Sequence, residues 1–256
     1  KTNWKKKIPG RVRGIINNLP DLVMQRKNYT HIFFDLDHTL WDFDANNRIT
    51  FDEILKKHDL YNSGIKNIDN FLEIYDPYNK MLWDLYKKGS IEKNYLSYRR
   101  FELTLLHLGI DNTELAKAMA ADYIQISPTK TRLKEGAIEV LEYLQSHYIL
   151  GLLTNGFNEI QYLKIRNSGL EKYFPFVVTS EEAGSKKPDT GIFEFILNKT
   201  NTNRNECIYI GDEPETDIVG AATAGIDSVL VTFGKYFGET PATFTIKTLY
   251  QLKEIL

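Results

Sequence analysis

The sequence predicts an α/β protein: a doubly wound, mainly parallel sheet interrupted early by an inserted α-helical domain. Three observations carry this expectation. From about residue 131 onward, short runs rich in Val, Ile, Phe and Tyr alternate with helical patterns. Such a succession gives parallel strands, right-handed crossovers and helices on both faces of the sheet. One more apolar run, His31-Ile32-Phe33-Phe34, stands alone far upstream. Between the two parts, strand-like segments are absent and the apolar spacing is helical.

Taken in order, residues 1–28 form a basic N-terminal extension. Lys1, Lys5, Lys6, Lys7, Arg11, Arg13, Arg26 and Lys27 oppose a single acid, Asp21. This pattern reads as a solvated or loosely docked arm, and residues 1–23 are expected to be dispensable for catalysis. The α/β core is expected over 29–42 and 129–256. Its first strand is residues 31–34, which are apolar, too short for a helix and bounded by polar residues. Helical spacing follows near 51–58, 69–88, 91–108 and 112–126, within an insertion taken as residues 43–128. Phe71, Leu72, Tyr75, Tyr78, Leu82 and Leu85 recur at three and four residues, as one buried stripe requires. Asp69 and Asn112 are the expected N-caps, Gly89 and Gly109 the stops, and Ser127-Pro128 closes the insertion. Beyond it, helices at 135–145, 159–168, 189–198 and 215–224 are interleaved with strands at 148–154, 176–179, 207–211 and 228–232. Residues 248–256 read as a last amphipathic helix.

The residues that can do chemistry stand at strand ends. The first strand runs into Asp35-Leu36-Asp37-His38-Thr39. A buried parallel strand delivers its carboxyl end to the ligand crevice of an open sheet. Asp35 and Asp37 would there share one phosphate and one cation, because two neighbouring carboxylates repel and a divalent cation compensates them. Thr154-Asn155-Gly156 ends the next core strand with a hydroxyl, an amide and a glycine, a cradle for phosphate oxygens or an ordinary turn. Lys187-Pro188 precedes a helix; a fixed lysine neutralises a phosphoryl group, whereas an isolated one is normally solvated surface. Gly211-Asp212 follows the next strand, with Asp217 five residues on. Asp212 can complete a magnesium site, and Glu215 or Asp217 can cap the following helix.

In this order and at these strand ends, the four clusters resemble the haloacid dehalogenase (HAD) superfamily of phosphohydrolases. The resemblance covers roughly residues 30–235, with the helical insertion where that superfamily places its cap. It implies a Rossmann-like core in which Asp35 is the nucleophile that forms a phosphoaspartyl intermediate. Asp37 would protonate the leaving alkoxide and then activate water. Magnesium would be held by Asp35, the main-chain carbonyl of Asp37 and Asp212. Thr154 would hydrogen-bond the phosphoryl group with backbone support from Asn155, Lys187 would offset charge on that group and on Asp35, and Asp217 would orient Lys187. Pro188 selects Lys187 over the adjacent Lys186 as the match. His38 stands where glycine is common, so it either contacts the leaving group or only shapes the loop.

The resemblance also bears on substrate. An acid at Asp37 favours phosphotransfer to water over dehalogenation or cation pumping. The run from Asp35 to Phe43 resembles the pyrimidine and noncanonical nucleotide 5′-nucleotidases more than the phosphosugar mutases. A nucleoside 5′-monophosphate is therefore the expected substrate. The alternative is a phosphosugar mutase, or a phosphoglycolate or sugar-phosphate phosphatase of the same superfamily. Trp41, Phe43, Tyr75, Tyr78 and Trp83 are candidates to stack on a base, Trp41 and Phe43 foremost, although residues on a helical stripe are more commonly core.

Composition narrows the classes further. A net charge of −2 gives no global reason to expect nucleic acid or an anionic membrane as partner. The basic arm keeps open a phosphatase recruited to nucleic acid. An inactive binding module would be expected to carry a broken motif, and each motif is intact. The single cysteine, Cys207, excludes an intrachain disulfide framework and suits a reducing compartment. No apolar stretch approaches the roughly 18 residues of a membrane span. The expected protein is cytoplasmic, binds magnesium and takes a small phosphorylated metabolite as its partner.

Overall fold

The computed structural model describes residues 28–256. The basic extension, apart from Asn28, and its expected dispensability lie outside the described residues. Among the described residues, six parallel strands form one sheet: β1 (His31–Phe34), β2 (Ile149–Thr154), β3 (Phe176–Thr179), β4 (Cys207–Gly211), β5 (Asp227–Val231) and β6 (Phe244–Ile246), in the order β3-β2-β1-β4-β5-β6. All four residues of β1 are buried, as a central strand covered on both faces requires. Alternation sends Ile32 and Phe34 to one apolar cluster and Phe33 to another. Because β1 lies between β2 and β4, with Phe34 in register with Leu152 and Ile210, the residues that follow all three strands emerge side by side.

Four helices are inserted after β1: α1 (Phe43–Lys57), α2 (Ile68–Lys87), α3 (Lys93–His107) and α4 (Thr113–Ile126). They enclose their own apolar cluster, in which the Phe51 ring lies 4.6 Å from Tyr75 and 5.5 Å from Tyr123. Phe157 and Ile160, just beyond β2, belong to the same cluster, so the inserted helices pack onto the carboxyl edge of the sheet. The remaining helices are α5 (Ala137–Leu144), α6 (Asn158–Asn167), α7 (Ser180–Ala183), α8 (Thr190–Thr200), α9 (Val219–Thr223) and α10 (Leu252–Ile255). Helices α5, α6 and α10 cover the Phe34 face through Leu141, Ile165 and Leu252. Helices α8 and α9 cover the Phe33 face through Phe193 and Ala221.

Several boundaries differ from the sequence reading for identifiable reasons. Helix α1 begins at Phe43, eight residues before the expected start. Its first turns hold Asn46 and Asn47, polar residues that spacing alone assigns to solvent. Both are buried: Asn46 donates to the Arg132 carbonyl at 2.8 Å, and Asn47 accepts from the Tyr123 hydroxyl at 2.8 Å. The N-cap of α2 is Asn67, not Asp69, because Asn67 Oδ1 takes the Asn70 N–H at 2.9 Å. Asp69 falls in the first turn, where an acid suits the helix dipole. Asn112 caps α4 as expected, accepting from the Leu115 N–H. The expected helix at 215–224 is a π-helical turn, Pro214–Ile218, continued by α9. Strand β6 and helix α7 are short additions absent from the pattern reading, and the last helix opens with a 3₁₀ turn, Leu249–Gln251.

Candidate active site

The loop leaving β1 folds back on itself, with the Trp41 N–H on the Leu36 carbonyl at 2.8 Å and the His38 N–H on the Trp41 carbonyl at 3.0 Å. This turn sets His38 at φ +66°, in the left-handed region that costs a side-chain-bearing residue about 1–2 kcal/mol. The geometry explains why glycine suits this position. His38 lies 4.5 Å ring to ring from Phe43, and its burial lowers its pKa despite the carboxylates of Asp44 and Asp37.

Asp35 follows β1 directly and is buried. Its Oδ1 accepts from Lys187 Nζ at 2.6 Å, while the same ammonium donates to Asp217 Oδ1 at 2.7 Å and to the Tyr209 hydroxyl at 2.8 Å. Tyr209 in turn donates to Asp217 Oδ1 at 3.1 Å, and Asp217 Oδ2 takes the Glu213 N–H. Gly211 makes this possible: a Cβ there would lie 2.3 Å from Asp217 Oδ2. Asp212, on the turn after β4, accepts from the Thr39 hydroxyl at 3.0 Å. Burial and the surrounding acids raise the Asp35 pKa to about 7 against the pull of Lys187. Burial, with Asp217 and Asp35, raises Asp212 to about 8. Burial works against the Lys187 ammonium, but Asp217 and Asp35 outweigh it and hold the pKa above the ordinary lysine value.

Asn155, whose backbone alone is expected to support the phosphoryl group, has a side chain with a task of its own. Its amide donates to the Lys187 carbonyl at 2.9 Å and accepts from the Lys187 N–H at 2.8 Å, pinning the lysine's backbone. Thr154, buried at the end of β2, accepts from the Gly156 N–H at 3.1 Å. Lys186 turns away and sits over the Tyr86 ring at 4.3 Å.

Both oxygens of Asp37 are engaged by α6: Lys164 Nζ donates to Oδ1 at 2.6 Å and Gln161 Nε2 to Oδ2 at 2.7 Å. Lys164 is 2% exposed and rests 3.9 Å from the Trp41 ring centre. Gly156 leaves the space that Gln161 fills, since a Cβ there would lie 1.6 Å from Nε2. Sequence reasoning missed both α6 residues. On a helix the two read as ordinary surface polar groups, and only the fold carries them to Asp37. Tyr209 was also missed, although a phenol in the middle of an apolar strand is a signal, because a buried hydroxyl needs a partner.

These groups open on one cavity of about 320 Å³. Asp35, Asp37, Thr154, Asn155, Lys187, Asp212 and Asp217 line its sheet side, Phe43, Asn79, Trp83, Arg100 and Tyr123 line its helical side, and Phe157 and Ile160, just beyond β2, line it as well. Three of the aromatic candidates for base stacking are excluded from its walls. Trp41 is fully buried, with its indole N–H on the Lys130 carbonyl at 3.1 Å. Tyr75 is core, and Tyr78 bonds His107. Phe43 and Trp83 remain, and Trp83 is stacked on Phe157 at 5.4 Å.

The donor set fits a hard divalent cation. Carboxylate oxygens of Asp35, Asp212 and Asp217 lie within 4.8 Å of one another. Lys187 alone is set among them, so the ionised cluster carries excess negative charge that oxygen-liganded magnesium would neutralise. Asp217 differs from the other two because both its oxygens are already engaged by Lys187, Tyr209 and the Glu213 N–H.

Buried carboxylates and a lysine at the carboxyl edge of a parallel sheet, beneath a helical insertion, define an open-sheet α/β protein with a polar ligand site at its strand ends. The family follows from comparison with known proteins. The haloacid dehalogenase-like hydrolase family model matches residues 32–231, and the chain belongs to that family. The chain is 31% identical to the pyrimidine 5′-nucleotidase YjjG of Escherichia coli over 88% of its length and 96% of that protein's. It is 32% identical to the pyrimidine 5′-nucleotidase PynA of Streptococcus pneumoniae over 78% and 83%. The magnesium-bound structure of YfnB from Bacillus subtilis superposes with a TM-score of 0.82 at 25% identity, covering 90% of this chain and 99% of that one. Other relatives at 29 to 31% identity are sugar-phosphate phosphatases. The protein is thus an enzyme of the phosphatase type within this family. Among the described residues, no helix is long and apolar enough to cross a membrane.

Proposed function

We propose that the protein is a magnesium-dependent phosphomonoester hydrolase acting on nucleoside 5′-monophosphates, pyrimidine ones foremost. The observation that carries this reading is the cavity itself, which joins the Asp35–Asp37 pair to an aromatic wall of Phe43, Trp83 and Phe157. In this reading residues 43–128 are a cap over a core of residues 29–42 and 129–256, and the reaction occurs in the cytoplasm.

Asp35 attacks phosphorus in line, giving a phosphoaspartyl enzyme and releasing the nucleoside alkoxide. Asp37 protonates that alkoxide and then takes a proton from the water that hydrolyses the acyl phosphate. Lys164 and Gln161 hold both Asp37 oxygens, so one of those contacts gives way when Asp37 reaches the leaving oxygen. Thr154 donates to the phosphoryl group. Lys187, held at the backbone by Asn155 and at its ammonium by Asp217, offsets the charge on Asp35 and on the transferring group. Asp35, Asp212 and the Asp37 main-chain carbonyl would hold magnesium, which when bound would supply Lewis-acid polarisation of a phosphoryl oxygen.

Specificity constants measured with magnesium for uridine 5′-monophosphate, ribose 5-phosphate and glucose 6-phosphate test the substrate. The nucleotide is expected to lead. If removing the base leaves the constant unchanged, or the hexose phosphate wins, the nucleotidase reading fails.

A further inference from the structure

The basic residues around the cavity are not alike. Lys187 is paired with Asp35 and Asp217, Lys164 with Asp37, and Lys80 and Lys87 share Asp84 at 3.0 Å each. Arg100, on α3, is 4% exposed and has no carboxylate partner among the described residues. Its polar neighbours are neutral: it donates to Asn79 Oδ1 at 3.1 Å and to the Ser97 carbonyl at 3.3 Å, and it lies 4.7 Å from the centre of the Tyr123 ring. A buried guanidinium is costly without partners that accept its hydrogen bonds. Asn79 is arranged to match. Its Oδ1 already accepts from Arg100 and from Tyr75, and among the described residues its amide N–H₂ donates to nothing, so it too faces the cavity as a donor.

We propose that Arg100 and Asn79 read the carbonyl edge of the substrate's base, making them the specificity-determining pair of this enzyme. The inference rests on the nucleotidase reading above and goes beyond it by naming the groups that recognise the base. Three features select a planar, carbonyl-bearing ring. The pair offers donors only, so it needs acceptors, and pyrimidine carbonyl oxygens are acceptors. Phe43, Trp83 and Phe157 on the same walls present ring surface on which a planar group can stack. The guanidinium is already backed by neutral oxygens, the Tyr75 hydroxyl among them, and by the Tyr123 and Phe101 rings, so a neutral acceptor completes its shell without requiring a full negative charge.

The test measures kcat/KM with magnesium for uridine 5′-monophosphate, ribose 5-phosphate and phosphoglycolate. It compares wild type, Arg100→Met, Arg100→Lys and Asn79→Ala. The ratio of the nucleotide constant to the ribose 5-phosphate constant is expected to fall about 10- to 100-fold in Arg100→Met, chiefly through KM. Smaller falls are expected in Arg100→Lys, which keeps the charge without the planar fork, and in Asn79→Ala. If Arg100→Met does not fold, as judged by thermal unfolding, the ratio in half-buried Asn79→Ala decides the matter. A ratio that stays constant while both constants fall together overturns the proposal and assigns the pair to the cap's structure. A wild-type preference for phosphoglycolate that Arg100→Met abolishes also overturns it, because the pair then reads an anion. Failure of the nucleotidase reading is separately visible: wild type itself would not prefer uridine 5′-monophosphate to ribose 5-phosphate. A nucleotide preference that survives every variant sinks only the Arg100–Asn79 assignment.

Discussion

At the strand ends, one buried cation is shared by Asp35, Asp217 and Tyr209 within 2.8 Å. On the helical wall a second buried cation, Arg100, meets neutral oxygens and two aromatic rings. The contrast separates two tasks. Chemistry common to every substrate calls for charges fixed in advance, and the Lys187 ammonium is fixed by three protein partners at the cavity wall. Recognition calls for groups whose last partner arrives with the substrate, so the helical wall keeps donors to spare. The two sides also differ in backbone support. Lys187 is held by a two-way Asn155 clamp, whereas Arg100 and Asn79 project from neighbouring helices of the insertion.

The sharpest break in this comparison is at Asp35, the proposed nucleophile. Asp35→Asn is expected to lower kcat by about 10⁴-fold or more, because an amide cannot accept the phosphoryl group. Magnesium chelation should do the same reversibly. Steady-state assays with and without added metal measure both effects, and residual turnover near wild type in the variant would mean the nucleophile is misassigned. Next comes the closed network. Lys187→Ala should cost on the order of 10²–10³-fold in kcat. It should also destabilise the fold by about 3–5 kcal/mol by leaving Asp35 and Asp217 facing each other. Lys186→Ala, removing a cation over Tyr86, should change either quantity little. Equal losses at the two lysines would mean that Lys187 holds no special place in the site.

On the helical wall effects should be smaller and should fall on KM. Trp83→Ala or Phe43→Ala is expected to raise the nucleotide KM about tenfold, a stacking contribution near 1–3 kcal/mol. Trp41→Phe, a core change, should lower thermal stability with little change in KM. An unchanged KM in Trp83→Ala and Phe43→Ala would remove the aromatic wall from recognition.

The smallest expected effect is on stability against pH. Asp35 and Asp212 have native pKa values raised to about 7 and about 8, above those of an unfolded aspartate. Between about pH 4 and those values the native state binds more protons than the unfolded state, so stability falls as pH rises. Lys187, raised from an already high value, contributes evenly across this window. Chelated protein should therefore melt at a higher temperature at pH 5 than at pH 8, and magnesium should restore the loss at pH 8. A chelated protein equally stable at both values would argue against a charge-strained acid cluster.

Much of this was legible in the sequence because parallel strands expose one end to the ligand crevice, and local order is enough to mark it. Asp35, Thr154 and Asp212 stand at or just beyond strand ends that composition alone locates, and Lys187 stands in the connection that follows β3. Asn112, Gly89 and Gly109 mark helix ends through local backbone chemistry. Phe43 and Trp83 could be proposed as wall residues, but Trp41 could not be told from them, since burial depends on what packs from elsewhere. Asn46 and Asn47 hid the start of α1 because their partners, Arg132 and Tyr123, are about eighty residues away. Lys164 and Gln161 on Asp37, Tyr209 beneath Lys187 and the uncompensated Arg100 were decided by tertiary structure alone. Each is a meeting of groups far apart in the chain, and single-chain periodicity records which face a residue occupies but not what waits on the other side.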